Sequence, residues 1–312
     1  MDNYIFELSA AVTRETVRYQ NRFGIELAAD VYKPKSFDES RQYPALVVGP
    51  PYSGVKEQGP GIYAQEMAKR GFIALAFDPS FNGFSGGTPR HASSPDIFVE
   101  DFLASVDYLG TRSYINREQI GAIGICGSGS FALSAAQMDM RIKAVATASM
   151  VDISAAAQMG TKEERQAQLK AIGEQRYVDF ESDQPLLGAR GAGLADETDD
   201  PVFREFGDFY FTSRGWHPNS ITMFTQSSNA SFMNFSLLSK IDEISPRPIM
   251  LIAGDQAFSK GFSEQAYAAA NEPKQLVKIE NANHIDLYDD TTKIPFEKLD
   301  AFFKEGLKVK VK

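Results

Sequence analysis

The chain has 312 residues, of which 43% are hydrophobic, and a formal net charge of −9 at neutral pH. This hydrophobic content is enough for a large core, which excludes a wholly disordered protein. The acidic balance argues against a general binder of nucleic acid or anionic membranes, because such proteins need a basic face. One cysteine cannot form an internal disulfide, and with only three histidines we expect no metal site.

The first 16 residues contain no continuous apolar core, so we expect no signal peptide. No apolar run reaches the roughly 18 residues that a membrane span requires. We therefore expect a cytoplasmic protein whose partner is a small-molecule substrate, with no cofactor, no nucleic-acid partner and no membrane partner. A homodimer is left open.

Short apolar segments alternate with segments of helical spacing along the chain. This alternation predicts an α/β fold, in which a mostly parallel sheet is covered by helices on both faces. The helices are predicted at 63–70, 98–109, 131–138, 163–178 and 296–306. The strands are predicted at 15–20, 25–32, 44–49, 72–77, 120–125, 144–150, 248–253 and 276–279.

Residues 152–245, called the cap segment below, interrupt this alternation. They are polar and partly helical, then rich in aromatic residues. We predict a core formed by residues 1–151 and 246–312 and a helical cap insertion at 152–245. The alternative is a helical excursion that only covers the sheet. The aromatic residues that we expect to wall a substrate pocket are Phe203, Phe206, Phe209, Tyr210, Phe211 and Trp216, of which Trp216 is the candidate for substrate binding.

A glycine-rich turn joins the fifth predicted strand to a helix. Such a strand–turn–helix unit can hold a nucleophile exposed at the sheet edge, next to the amide donors of the helix N-terminus. Cys126 and Ser128 both fit the pattern. The strand length favours Cys126, and a helix N-terminus with a neighbouring histidine can activate a thiol.

The same turn also fits a dinucleotide-binding motif. Gly127, Gly129 and Ala132 match its spacing, and Asp152 ends the next strand, where a ribose-binding acid belongs. This alternative stays open at the level of sequence.

Two further candidates follow later strands. Asp255 comes just after the seventh predicted strand and His284 just after the eighth. Since the carboxyl ends of parallel strands meet at one sheet edge, we expect a catalytic triad. His284 would move the proton of the nucleophile, and Asp255 would orient the imidazole ring.

Acyl transfer also needs donors for the oxyanion. With Cys126 as nucleophile, the Gly127 amide would be one donor. In the loop after the third strand, Pro50 and Pro51 have no N–H. Tyr52 is therefore the second candidate, by its amide or its phenol.

The sequence resembles the α/β-hydrolase superfamily, in particular its dienelactone-hydrolase-like and X-prolyl-peptidase (cocaine-esterase)-like branches and bacterial YcjY-type proteins. The resemblance implies a Cys–His–Asp set at Cys126, His284 and Asp255, and a Tyr52 hydroxyl that donates to the oxyanion. The segments that carry it are 48–52, 55–58, 76–79, 124–127, 244–248 and 284–289.

We therefore expect a hydrolase that cleaves a small ester, lactone or thioester through an acyl-enzyme, with peptide substrates less expected. The alternatives are a non-catalytic ligand-binding or scaffold protein of the same fold, and the dinucleotide-binding protein described above.

Overall fold

The computed structural model describes residues 3–182, 184–188 and 199–310. Eight strands form a sheet in the order β1-β2-β4-β3-β5-β6-β7-β8. The pairs β1–β2 and β2–β4 are antiparallel and all other neighbours are parallel, which confirms the predicted α/β fold. The strands are β1 (Val12–Gln20), β2 (Glu26–Pro34), β3 (Tyr43–Gly49), β4 (Ile73–Phe77), β5 (Ile115–Ile125), β6 (Ile142–Ala148), β7 (Ile249–Gly254) and β8 (Lys274–Ile279).

Helices cover both faces of the sheet, so its central strands are buried on both sides. Along β3, Leu46 packs in the core cluster that contains residues of α1 and α10, and Val47 in the cluster that contains residues of α2, α3 and α8. This is why β3 and β4 read as continuous apolar runs. The helices are α1 (Gly59–Lys69), α2 (Pro95–Gly110), α3 (Ser128–Met138), α4 (Ile153–Ala157), α5 (Lys162–Glu181), α6 (Pro201–Tyr210), α7 (Asn229–Met233), α8 (Lys260–Ala269), α9 (Asp286–Asp289) and α10 (Phe296–Gly306).

Of the elements that begin earlier than predicted, strand β5 and helix α1 differ most from the prediction. Strand β5 starts at Ile115. The prediction missed its first half because that half is polar and partly exposed, so that only the second half has a hydrophobic pattern. Helix α1 starts at Gly59, with Pro60 in its first turn, where the missing N–H of a proline costs nothing.

The described part of the cap segment consists of helices and loops and adds no strand to the sheet. Its longest helix, α5, buries only Ile172, which explains its weak hydrophobic periodicity. Residues 183 and 189–198 of the predicted insertion lie outside the described residues. The division into a core and a cap domain remains a prediction.

Candidate active site

The turn between β5 and α3 has the geometry of a nucleophile elbow. Cys126 has a φ of +54°, a left-handed conformation that non-glycine residues adopt mainly where surrounding structure enforces it. The turn closes tightly behind it, since a Cβ on Gly124 would lie 2.1 Å from the Ser128 carbonyl oxygen. The glycine before the cysteine is therefore a requirement of the backbone path.

Cys126 lies on the wall of a cavity of about 500 Å³ at the carboxyl edge of the sheet. The wall comes from the core and from the cap segment. Its apolar and aromatic members include Val151, Ile153, Phe206, Tyr210, Phe224 and Phe258, and its polar members include Ser53, Thr222, Thr225, Gln226, Ser228 and Asn229. The cavity can hold a mainly apolar group with some oxygen-bearing substituents.

Ser128, the alternative nucleophile, lies on the other side of the elbow. Its hydroxyl is next to Gly49 of β3, where a Cβ on the glycine would approach it to 2.8 Å. It borders a separate space of only about 10 Å³. The geometry therefore favours Cys126 over Ser128.

Three hydrogen-bonding groups surround the Cys126 thiol. Burial raises the pKa of the thiol above its usual value, while the Tyr288 hydroxyl and the backbone N–H groups of Tyr52 and Gly127 act to lower it. The raising effect of burial is the larger one. At neutral pH the thiol is therefore protonated. The N–H groups of Tyr52 and Gly127 lie where an oxyanion hole is needed.

Tyr52 faces Cys126 with its backbone N–H and not with its phenol. Its hydroxyl forms a hydrogen bond of 2.6 Å with Ser93, and its ring packs on Phe224 at 4.0 Å between centroids. The hydroxyl donor implied by the family resemblance is thus engaged elsewhere, because the aromatic packing fixes the ring. The amide of Tyr52 is the donor that faces Cys126.

His284 follows β8 and is completely buried. Its Nδ1 lies 2.6 Å from Ser259 Oγ, and its Nε2 lies 2.9 Å from Tyr288 Oη. The imidazole packs between Phe206 and Phe258, at centroid distances of 5.3 and 4.7 Å. Burial lowers the pKa of His284 to about 3, so the ring is neutral at physiological pH.

In this structure Asp255 is not a hydrogen-bond partner of His284, so the predicted orienting role of Asp255 has no support from the contacts of the ring. Asp255 continues the pairing of β7, since its N–H donates to the Ile279 carbonyl, and its carboxylate is not bonded to the imidazole. The chain then turns, and four residues later Ser259 reaches Nδ1. A neutral hydroxyl therefore stands where the sequence predicts a carboxylate.

The prediction for Trp216 is also not supported. Its side chain is about half exposed and is not part of the cavity wall as described. Its loop is held by Gln58, whose side-chain amide donates to the Gly215 carbonyl. Of the aromatic residues expected in the wall, Phe206 and Tyr210 do line it.

The glycines of the dinucleotide motif have packing roles. A Cβ on Gly127 would lie 2.7 Å from Tyr52 Cβ, and one on Gly129 would lie 2.7 Å from Met150. The space above these glycines is filled by side chains, which leaves no room for a pyrophosphate. Asp152 caps α4 by accepting from the Ala155 N–H. The structure therefore does not support the dinucleotide alternative.

Sequence reasoning missed Ser259 and Tyr288. For Tyr288 a signal exists, since a residue four positions after His284 faces the same way on a helical turn. Ser259 has no local signal, because only the path of the turn after β7 brings it to the site.

Within the described ranges, no three His, Cys, Asp or Glu side chains are placed to hold a metal ion. In the same ranges no helix combines the length and the apolar character of a membrane span.

Comparisons with known proteins bear on the fold and the family of the chain. The family model for X-Pro dipeptidyl-peptidase (S15 family) matches residues 24–189. The uncharacterised protein PA2218 of Pseudomonas aeruginosa is 47% identical over 97% of this chain and 83% of that protein. Its crystal structure superposes with a TM-score of 0.94 at 46% identity, covering 98% of this chain and 97% of that one.

Two other relatives extend the comparison. The uncharacterised protein YcjY of Escherichia coli is 35% identical over 91% of this chain and 95% of that protein. A thiohydrolase of Aspergillus aculeatus, aneE, is 28% identical over 77% of this chain and 78% of that protein. The chain is therefore a hydrolase of the α/β-hydrolase fold and belongs to the X-Pro dipeptidyl-peptidase (S15) family.

Proposed function

We propose that this enzyme cleaves a small ester, lactone or thioester through an acyl-enzyme formed on Cys126. The proposal rests on the groups that surround the Cys126 thiol. Cys126 borders the cavity and faces two backbone N–H groups, and the Tyr288 hydroxyl beside it is hydrogen-bonded to His284 Nε2. A nucleophile, oxyanion donors and a base thus meet at one point, as acyl transfer requires.

The proton of the thiol reaches the base through Tyr288. In the tautomer with the proton on Nδ1, His284 donates to Ser259 and its Nε2 accepts from the Tyr288 hydroxyl. As the sulfur attacks, its proton passes to Tyr288 Oη, while the tyrosine proton passes to Nε2. The reverse transfer returns a proton to the departing group.

The carbonyl oxygen of the substrate would lie between the N–H groups of Tyr52 and Gly127. These donors belong to the backbone of a tight loop and of the N-terminus of α3, so they need no reorganisation when charge develops. Removal of one such donor typically costs about 10² to 10³ in kcat.

Activated acyl groups suit this site better than peptides. The resting thiol and imidazole are both neutral, so the site holds no thiolate–imidazolium pair. An X-Pro dipeptidyl-peptidase must also bind a charged α-amino group, for which a carboxylate is the natural partner. The described lining of the cavity contains no Asp or Glu. The name of the thiohydrolase relative supports a thioester.

A non-catalytic protein of the same fold is the less favoured alternative. The strained φ of Cys126 and two amides directed at its sulfur have no use in a scaffold. We further propose a cytoplasmic location, since a thiol nucleophile needs a reducing compartment.

Kinetics of four variants test the proposal with p-nitrophenyl acetate and an acetyl thioester. We expect Cys126→Ala and His284→Ala to lower kcat at least about 10³-fold, and Tyr288→Phe at least about 10²-fold, because each removes a part of the relay. Ser128→Ala is the matched control and should keep most of the activity.

Loss of activity in Ser128→Ala, with Cys126→Ala still active, would show that the nucleophile is wrongly assigned. A wild-type protein that turns over neither substrate and forms no acyl adduct would contradict the proposed function.

A further inference from the structure

Tyr210 ends helix α6 and brings a phenol from the cap segment to the nucleophile. The side chain is 2% exposed and lines the cavity together with Cys126. Its ring is fixed by Phe206, stacked at 6.3 Å, and by Phe209, packed edge-on at 5.0 Å. The hydroxyl of Tyr210 thus has a fixed position on the wall of the cavity that Cys126 also lines.

No hydrogen bond of standard geometry satisfies this hydroxyl among the described residues, although Tyr288 and Ser53 lie close enough to lower its pKa by hydrogen bonding. Buried polar groups nearly always have partners, and an exception next to a substrate cavity points to a partner that arrives with the ligand. Tyr210 and Cys126 line the same cavity, so a ligand bound there can contact both.

The groups around the sulfur separate into two sets. The backbone N–H groups of Tyr52 and Gly127 form one set, which suits the carbonyl oxygen. The hydroxyls of Tyr288 and Tyr210 form the other, since each affects the pKa of the other and Cys126 affects the pKa of both. Tyr288 is the member of the proposed proton relay that lies between the sulfur and His284. The second set therefore lies where the leaving group must receive its proton.

We propose that Tyr210 is a further catalytic residue, whose hydroxyl donates a hydrogen bond to the oxygen or sulfur atom that leaves the acyl group. The inference rests on the proposed function of Cys126. When the tetrahedral intermediate collapses, the bond from carbon to the leaving atom breaks and its electron pair stays on that atom. The relay through Tyr288 supplies the proton, and Tyr210 stabilises the charge that develops before the proton arrives.

A dependence on the leaving group distinguishes this role from a structural one. A good leaving group carries its charge without help, whereas a poor one needs a donor. Replacement of Tyr210 by Phe removes only the oxygen atom. Tyr32→Phe is the matched control, because the Tyr32 hydroxyl is also buried but lies on β2, near Asp30 and Tyr4.

The experiment measures single-turnover acetylation of Cys126 by rapid quench and intact mass. Three acetyl esters are compared, with p-nitrophenol, phenol and trifluoroethanol as leaving groups. We expect Tyr210→Phe to stay within about twofold of wild type with the p-nitrophenyl ester and to be at least about tenfold slower with the trifluoroethyl ester. Tyr32→Phe should match wild type throughout.

An equal effect of Tyr210→Phe on all three esters, or no effect on any, would overturn the role of Tyr210 while acetylation of wild-type Cys126 still upholds the proposed function. If wild type forms no adduct on Cys126 with any ester, the proposed function fails, and the role of Tyr210 fails with it.

Discussion

At the scale of single residues, the unusual group is His284. Its ring is enclosed by two aromatic side chains, and both nitrogens are bonded to hydroxyls, Ser259 on Nδ1 and Tyr288 on Nε2. With no carboxylate on the ring, nothing offsets the desolvation that lowers its pKa. The relay is therefore neutral throughout at rest, and charge develops in it only during the reaction.

Substitutions can distinguish the roles of Ser259 and Asp255 at His284. We expect Ser259→Ala to lower kcat about tenfold, because Nδ1 loses the partner that fixes its tautomer and orientation. Asp255→Asn should leave kcat within about twofold, since this carboxylate is not bonded to the ring. The measurement is steady-state thioester hydrolysis, and a larger loss in Asp255→Asn than in Ser259→Ala would contradict the assignment.

The pH profile of kcat/KM is a second test of the contact between Ser259 and His284. With a pKa of about 3, the wild-type imidazole stays unprotonated as pH falls through the range where an ordinary histidine becomes charged. In Ser259→Asp, the added negative charge favours the protonated ring and raises this pKa. A protonated ring cannot act as base, so the variant should lose kcat/KM at a higher pH than wild type does. Coincident acid limbs would show that residue 259 does not act on His284.

Several of the proposed catalytic residues could be predicted because they follow strands that end at one edge of the sheet. Cys126, His284 and Tyr52 lie at the carboxyl edge of the sheet, where the sequence pattern of β3, β5 and β8 places them. Ser259 could not be predicted in this way, because only the path of the turn after β7 decides which side chain reaches His284. Asp255 fits the chain order of a triad, but the His284 ring nitrogens are bonded to Ser259 and Tyr288.

At the scale of elements, the elbow depends on close backbone contact between β5 and α3. The contact is made where Gly124 meets the first turn of the helix. We expect Gly124→Ala to destabilise the protein by about 3 kcal/mol or more, because the added methyl overlaps a backbone oxygen that cannot move without moving the elbow.

Gly173→Ala, in the exposed helix α5, is the matched control. A Cβ at this position meets nothing within 4 Å, so the substitution should stabilise the protein by about 0.5–1 kcal/mol through helix propensity. Urea denaturation measures both changes. A Gly124→Ala variant as stable as wild type would show that the elbow has more room than this geometry gives it.

The strands and helices of the core could be predicted because each buries one or both faces. The cap segment could not, apart from its helical character. Helix α6 places Phe206 and Tyr210 in the cavity and Phe209 in the core, yet leaves Phe203 exposed. Which aromatic residue faces the substrate depends on how α6 packs, and composition alone cannot tell these residues apart.

At the scale of the whole molecule, the cap segment is joined to the loop that carries the base. Glu205 of α6 accepts from the Ile285 N–H at 2.6 Å, next to His284. Arg214 binds both carboxylate oxygens of Asp289 in α9 at 2.8 Å. The segment that walls the cavity therefore also fixes the position of His284 and Tyr288. The contacts of Glu205 and Arg214 therefore connect the wall of the cavity with the residues proposed to transfer the proton. The formation of a homodimer remains a prediction.

The central claim is that the acyl group is carried by Cys126, and covalent trapping tests it most directly. The protein is mixed with p-nitrophenyl acetate, quenched in acid within the first turnover, and mapped by peptide mass spectrometry. We predict one acetyl group on the peptide that contains Cys126, its absence in Cys126→Ala, and its persistence in Ser128→Ala. An acetyl group on Ser128, or turnover with no covalent adduct at any time, would contradict the account.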